Sequence, residues 1–327
     1  GAVILAVSSI TGCTSETGSP GRVRIAVIPK GTTHEFWQMV EAGVRKAEAE
    51  LRSSGADIEV LWNGPLTEGD VKLQIDLVQN FISRGVQGIA LAPVSDSALV
   101  QPVRDARSAG LPVVIFDSGL VGEAGKDFAS YVATDNRQGG VLAARRLAEV
   151  LGGKGRVILL RYQVASESTS QREEGFLSTL ASEFPEIEVI SSDQYADDSE
   201  EKAFQKSQNL LTRFRDQVDG IFCPNESSTA GMLGALNQAD LAGKVKFVGF
   251  DSSEKLIRAL RDGRIDGLVL QNPTRMGYEA TRVLVRVLRN EEVPLRIDTG
   301  VTVATPDNVD DPSIVEFYAP SPTPTRG

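Results

Sequence analysis

Short runs rich in Val, Ile and Ala alternate along most of this chain with longer segments whose apolar residues recur at helical spacing. A strand is predicted over 22–29, and Phe36, Met39, Val40, Val44 and Ala47 then mark a helical stripe over 35–52. Strands over 58–62, 88–92, 112–116 and 129–134 follow, with helices over 71–84 and 97–108, the second closed by Gly110. The second half repeats the scheme, with helices over 137–151, 170–184, 200–215 and 227–238 set between strands over 156–160, 188–195, 220–222 and 245–250. Strands separated by helices of this length imply right-handed crossovers and parallel sheets. Two such halves in series predict an α/β protein of two doubly wound, Rossmann-like lobes facing each other. About 300 residues after the leader also favour two domains over one.

The polar residues that follow the strands sharpen this picture. A further strand is predicted over 265–271, and Lys30, Asp117, Asn225, Asp251 and Gln271 each stand at the carboxyl end of a predicted strand. In open α/β sheets ligands bind outside those ends, so these side chains are expected to converge on one cleft that takes a small polar ligand.

Residues 1–10 are uncharged and mostly apolar, too short to span a bilayer but suited to the apolar core of a secretion signal. Ile10-Thr11-Gly12-Cys13 resembles the bacterial lipobox, whose cysteine is diacylated. Cys13 is therefore expected to carry a lipid that tethers the protein outside the cytoplasmic membrane, the alternative being an ordinary cleaved signal with an incidental cysteine. No basic segment or initiator methionine precedes the apolar run, so the precursor is expected to begin further upstream.

With 34 Lys and Arg against 44 Asp and Glu, the formal charge is −10, which argues against nucleic acid or an anionic membrane surface as the main partner. The two cysteines, Cys13 and Cys223, form no C-x-x-C pair, and His34 is the single histidine. Neither a metal nor a cofactor is expected. Gly152-Gly153-Lys154-Gly155 precedes a strand instead of following one and reads as a turn. Glu173-Glu174 and Asp197-Asp198 read as solvated or dipole-facing acids. Pro320-Ser321-Pro322-Thr323-Pro324-Thr325 reads as part of a disordered tail over 316–327.

Several stretches, in order, resemble the ribose-binding proteins, the type I periplasmic sugar-binding proteins of ATP-driven importers. They are Ile25-Ala26-Val27-Ile28 with Phe36-Trp37, Ala92-Pro93 before Ser95-Asp96-Ser97, Leu111 to Asp117, Ala133-Thr134-Asp135-Asn136 with Gly139-Gly140, Gln171 to Phe176, Phe222 to Glu226, Val248-Gly249-Phe250-Asp251, and Gln271. The resemblance covers about residues 22–305. It implies a binding protein, not an enzyme, which closes on a monosaccharide or related ligand and presents the closed form to a membrane permease. It also implies that Asp117 and Asp251 accept from sugar hydroxyls, that Asn225 and Gln271 read neighbouring hydroxyls, and that Phe36 and Trp37 cover the apolar faces of the ring. One of those two rings is open to a core reading, and both aspartates to a capping one.

Departures from the family pattern bear on the ligand. Ser118-Gly119 stands where an arginine is common, Arg172 adjoins the place of a second arginine, and Lys30 and His34 replace small polar residues or Asn. If Lys30 and His34 line the cleft, an anionic sugar becomes a candidate; if they face solvent, the ligand is expected to be neutral. Lobe one is expected over 22–134 with 272–300, and lobe two over 135–271 with 301–315, hinged at three crossings in a protein expected to be a monomer. A ligand-presenting sensor for a chemoreceptor or histidine kinase shares fold and site. An effector domain of a LacI-like regulator shares the fold but needs a DNA-binding domain ahead of Arg22, where a lipoprotein-like leader stands instead.

Overall fold

A computed structural model describes residues 22–319. Cys13 lies outside the described residues, as does the end of the chain from Pro320.

The first lobe begins β1 (Val23–Ile28), α1 (Glu35–Ser53), β2 (Ile58–Trp62), α2 (Val71–Ser83), β3 (Gly88–Leu91), α3 (Val100–Ser108), β4 (Val113–Phe116) and β5 (Ser130–Ala133). The second comprises α4 (Asn136–Leu151), β6 (Gly155–Arg161), α5 (Glu167–Glu183), β7 (Ile187–Tyr195), α6 (Glu200–Phe214), β8 (Gly220–Phe222), α7 (Glu226–Gln238), β9 (Lys246–Phe250), α8 (Glu254–Arg261) and β10 (Gly267–Gln271). The chain then returns through α9 (Pro273–Leu288) and β11 (Arg296–Asp298) to the first lobe and ends with β12 (Val301–Ala304) and α10 (Pro312–Tyr318) on the second.

The sheets have the orders β11-β5-β4-β3-β1-β2 and β12-β10-β9-β8-β6-β7. Both are parallel except at β12, which runs antiparallel to β10. The exception has a simple cause: β12 enters directly from β11 across Thr299 and Gly300, with no helix to reverse its direction. Apolar clusters cover both faces of each sheet, which is why β3, β4, β8 and, from Ile25 on, β1 read as unbroken apolar runs.

Periodicity missed α8, α9, α10, β11 and β12 as separate elements, and three boundaries move by about three residues, the first at α3, which begins at Val100 and not at 97. Helix α5 starts at Glu167, because 166–169 is polar and carries no apolar period. Helix α10 runs to Tyr318, into the stretch expected as disordered tail, with Ile314 buried on lobe two.

Two helix pairs, α1 with α9 and α4 with α5, meet through glycines. A Cβ on Gly43 would lie 1.9 Å from Thr274 O, and one on Gly140 would lie 2.0 Å from Arg172 O. The lobes connect at three places, after β5, after β10 and between β11 and β12. Asp135 and Asn272 cap the helices that leave the first two, and Thr134 Oγ1 reaches the Gly300 carbonyl at 3.3 Å.

Candidate functional site

The two lobes present the same device at the same place. In each sheet the third strand from the hinge-side edge, β4 or β9, ends in Phe-Asp: Phe116-Asp117 and Phe250-Asp251. Both aspartates have left-handed backbones, φ 63° and 66°, and each donates its N–H to the neighbouring strand, at Val132 O and Val269 O. This conformation costs most residues free energy, and Asp is among the few that tolerate it. It turns each carboxylate off the strand end into the space between the lobes, the kind of local strain that gathers at ligand sites.

The lobes are closed on one another, and the cavity between them is lined by Lys30, His34, Phe36, Trp37, Asp117, Arg172, Asn225, Asp251 and Gln271, all foreseen from the sequence. Glu68, Ser168, Thr169 and Glu226 complete the lining. About 310 Å³ lies empty among these side chains even with the mouth included, which limits the occupant to a small molecule.

Most of the charge here is already paired. Lys30 Nζ lies 2.9 Å from Asp117 Oδ2, with both side chains buried, and donates to Ser168 Oγ at 3.1 Å from the other lobe. Asp251 accepts from Gln271 Nε2 at 2.7 Å and from the Glu226 N–H at 3.0 Å. Burial raises the Asp251 carboxyl above its ordinary range, while Arg172 and Gln271 pull the other way. Arg172 is fixed from behind: its Nε donates to Asn136 Oδ1, its Nη1 to Pro224 O, and its guanidinium stacks 3.9 Å above the Phe250 ring. Phe36 and Trp37 meet edge to face, with centroids 5.0 Å apart, and both are buried as well as cavity-lining.

Glu68 holds one side of the cavity together. Its Oε1 accepts from Trp37 Nε1 at 2.7 Å and faces His34 Nδ1 at 3.1 Å, while its Oε2 accepts from the Tyr162 hydroxyl of lobe two at 2.7 Å. Burial works against ionisation of both Glu68 and His34. Their mutual contact, aided by Lys30 and Trp37 at Glu68 and by Glu226 and Asp251 at His34, outweighs it. Glu68 is held at about 2 and His34 raised to about 9, so the two form an ion pair at neutral pH.

The signs give a window. The contribution from His34 is complete below its ordinary value of 6.5 and is lost as pH rises through about 9; that from Glu68 is complete above 4.5 and is lost as pH falls through about 2. Because the chain has a single histidine, its imidazole NMR signals report on this pair alone. They should titrate near 9 in the wild type and well below that in Glu68→Gln, where burial remains but the main counter-charge is gone. A wild-type midpoint near 6.5 would dissolve the proposed ion pair.

Comparison with known proteins gives the site its context. Residues 25–292 match the model of a family described as "periplasmic binding protein domain". The chain belongs to that family. Among curated relatives, the xylitol-binding protein of Mycolicibacterium smegmatis is 30% identical over 85% of this chain and 77% of its own length. A carbohydrate transporter solute-binding protein from Agrobacterium radiobacter, solved with D-arabinose, is 33% identical at TM-score 0.84, covering 91% of this chain and 99% of that one. An ABC transporter solute-binding protein from Agrobacterium vitis, solved with D-fucose, is 32% identical at TM-score 0.85, covering 90% and 99%. These relatives are binding proteins, not enzymes.

Within this periplasmic binding protein, one foreseen ligand residue has other work. Ser118 is fully buried but does not line the cavity; its Oγ accepts from the Ser168 N–H of lobe two. Asn225 lines the cavity and caps α7 as well. The alternative drawn for Lys30 and His34, cleft with an anion or solvent without one, gives way to a third arrangement. Both line the cavity, and both are neutralised by carboxylates of their own lobe. The acidic pair Glu173-Glu174 divides: Glu174 is exposed, but Glu173 is buried and bonded to Arg161 at 2.6 Å. Glu226 had a faint signal in standing next to Asn225 at a strand end. Glu68 had none, since the loop after β2 that carries it looks like any solvated loop.

Proposed function

We propose that this protein captures a neutral monosaccharide or related polyol between its lobes, outside the cytoplasm, and hands it to an ATP-driven importer in the membrane. The observation that carries this reading is the matched pair Asp117 and Asp251, two buried carboxylates that enter one small cavity from opposite lobes. Hydroxyls donate well to carboxylates, and the Phe36 and Trp37 rings offer faces to C–H surfaces. Gln271 Oε1 is buried without a hydrogen-bond partner, an acceptor suited to one more hydroxyl donor.

Charge argues for neutrality. The positive charges of Lys30 and His34 are matched by Asp117 and Glu68, and Arg172 lies among the groups that act on Asp251. Glu226 is a further acid in the lining, so an anion would enter a cavity that offers no unmatched positive charge, at a cost that low polarisability magnifies. The relatives' sugars and xylitol set the ligand classes worth trying.

The test is a thermal-shift and calorimetric panel of xylitol, D-arabinose, D-fucose, D-ribose and D-allose beside D-ribonate and D-arabinonate. A neutral member should stabilise the protein by about 2.7 kcal/mol at a hundred times its Kd. Its acid should bind at least tenfold more weakly, and Lys30→Met should weaken both, because Asp117 is then buried without its partner. Tighter binding of the acid would overturn neutrality; no binding by any member would overturn the sugar reading.

A further inference from the structure

Ten helices are present among the described residues, and six of them, α2, α4, α6, α7, α8 and α9, cap their own first turn with an N-cap side chain. Helices α1 and α5 do not. His34 at the start of α1 turns its ring to Glu68, and Ser166 at the start of α5 has a buried hydroxyl with no partner. Both helices open onto the cleft and carry cavity residues: Phe36 and Trp37 on α1, and Ser168, Thr169 and Arg172 on α5.

Amides of their first turns nevertheless find acceptors, in each case on the opposite lobe. Glu226 of lobe two accepts from the Phe36 N–H at 2.9 Å and the Glu35 N–H at 3.3 Å. Ser118 of lobe one accepts from the Ser168 N–H at 3.1 Å. Helices α3 and α10 also lack a side-chain cap, but among the described residues no group of the other lobe reaches their first amides. Two further carboxylates cross the cleft in the same manner, Glu35 to the Glu254 N–H at 2.9 Å and Glu167 to the Gly119 N–H at 2.7 Å.

We infer that closure completes two helices that neither lobe completes alone: α1 is capped in trans by Glu226 and α5 by Ser118. A helix start leaves backbone N–H groups without intrahelical partners and carries partial positive charge, so an oxygen arriving from the other lobe gains both a hydrogen bond and a favourable dipole contact. Opening the cleft returns these amides to water. The two caps therefore favour the closed form specifically, and they tighten the first turns of the helices that hold the cavity side chains. Ser118 is a positioning residue in this scheme, since it reaches the site only through α5.

This inference rests on closure and not on what the protein binds, so its test uses no sugar. In the closed form a Cβ at position 69 would sit 2.9 Å from Asp198 Cβ on the other lobe. That is shorter than the ~3.8 Å between the Cβ atoms of a disulfide, so a Gly69→Cys/Asp198→Cys pair should cross-link only when the lobes come to within about 1 Å of full closure, at a rate proportional to that near-closed population and with an offset common to every variant compared. Adding Ser118→Ala or Glu226→Ala to that background should slow trapping under a fixed diamide concentration by about 3- to 30-fold each, the range expected for a lost N-cap. The double variant should show the product of the two effects. Melting of the untrapped variants should stay within a degree or so of the parent, because the open lobes make neither bond. Unchanged trapping rates would overturn the proposal. So would a fall in melting temperature with unchanged trapping, which would mark both residues as ordinary supports within their own lobes. Ser118→Ala has particular weight, since Ser118 does not line the cavity and its loss removes no direct ligand contact.

Discussion

Replacing Asp117 or Asp251 with Asn should reduce ligand affinity by about ten- to a hundredfold while leaving the fold intact. Asn is the right probe because both positions have φ above 60°, a conformation that Asn tolerates and Ala does not. The substitution keeps an acceptor in place and removes the charge. The larger loss is expected at position 117. There the variant also strips buried Lys30 of its counter-ion, leaving Ser168 Oγ as its remaining side-chain contact. Breaking a buried pair from one side costs about 3–5 kcal/mol, part of which should appear as reluctance to close. At 251 the Asn Oδ1 can keep the Glu226 N–H, and its Nδ2 can donate to Gln271 once that amide turns over to present Oε1, so the effect should stay near the lower end. Calorimetry with the tightest member of the neutral panel is the measurement. Wild-type affinity in both variants would mean that the cavity between the lobes is not where the ligand sits.

Gly140→Val should destabilise the protein more than any change at an exposed glycine. A Cβ at Gly140 would lie 2.0 Å from Arg172 O and 2.8 Å from Phe176 N, both backbone atoms of α5 that no rotamer can move aside. Helices α4 and α5 must then separate along the seam that also seats Gly175 against Arg137 O. Overpacking of this kind costs about 1–3 kcal/mol and sometimes more, and a clash with backbone belongs at the upper end. In a protein of this size that corresponds to a fall in melting temperature of about 4 °C. Binding should suffer too, because Arg172 sits on the displaced helix and its hold on Asn136 Oδ1 and Pro224 O depends on that spacing. Gly55→Ala is the control: no atom lies within 4 Å of the added Cβ, so only the cost of its φ of 94° is felt. Equal melting of the two variants would show that the seam yields more easily than its geometry implies.

What the chain determines by itself is the alternation of elements and the ends of its strands. Apolar runs such as 25–28 and 113–116 are too short and too rich in Val and Ile for helices and read as strands buried on both faces, and the helices between them imply parallel crossovers, so two doubly wound lobes follow from local pattern. Strand direction then fixes which residues face the cleft, which is why Lys30, Asp117, Asn225, Asp251 and Gln271 could be named before any contact was known. The tertiary structure decided everything that depends on a partner distant in sequence. Glu68 becomes a site residue only because the loop after β2 brings it to His34, to Trp37 and, 94 positions on, to Tyr162. Lys30, which by itself reads as a contact for an anion, is paired within its own lobe because Asp117 arrives from another strand end. Ser118 reads as a ligand residue from its place beside Asp117, and becomes a cap because α5 of the opposite lobe begins 50 residues later in sequence and directly across the cleft in space. Electrostatic balance and capping are properties of pairs, and neither partner carries a local mark of the other.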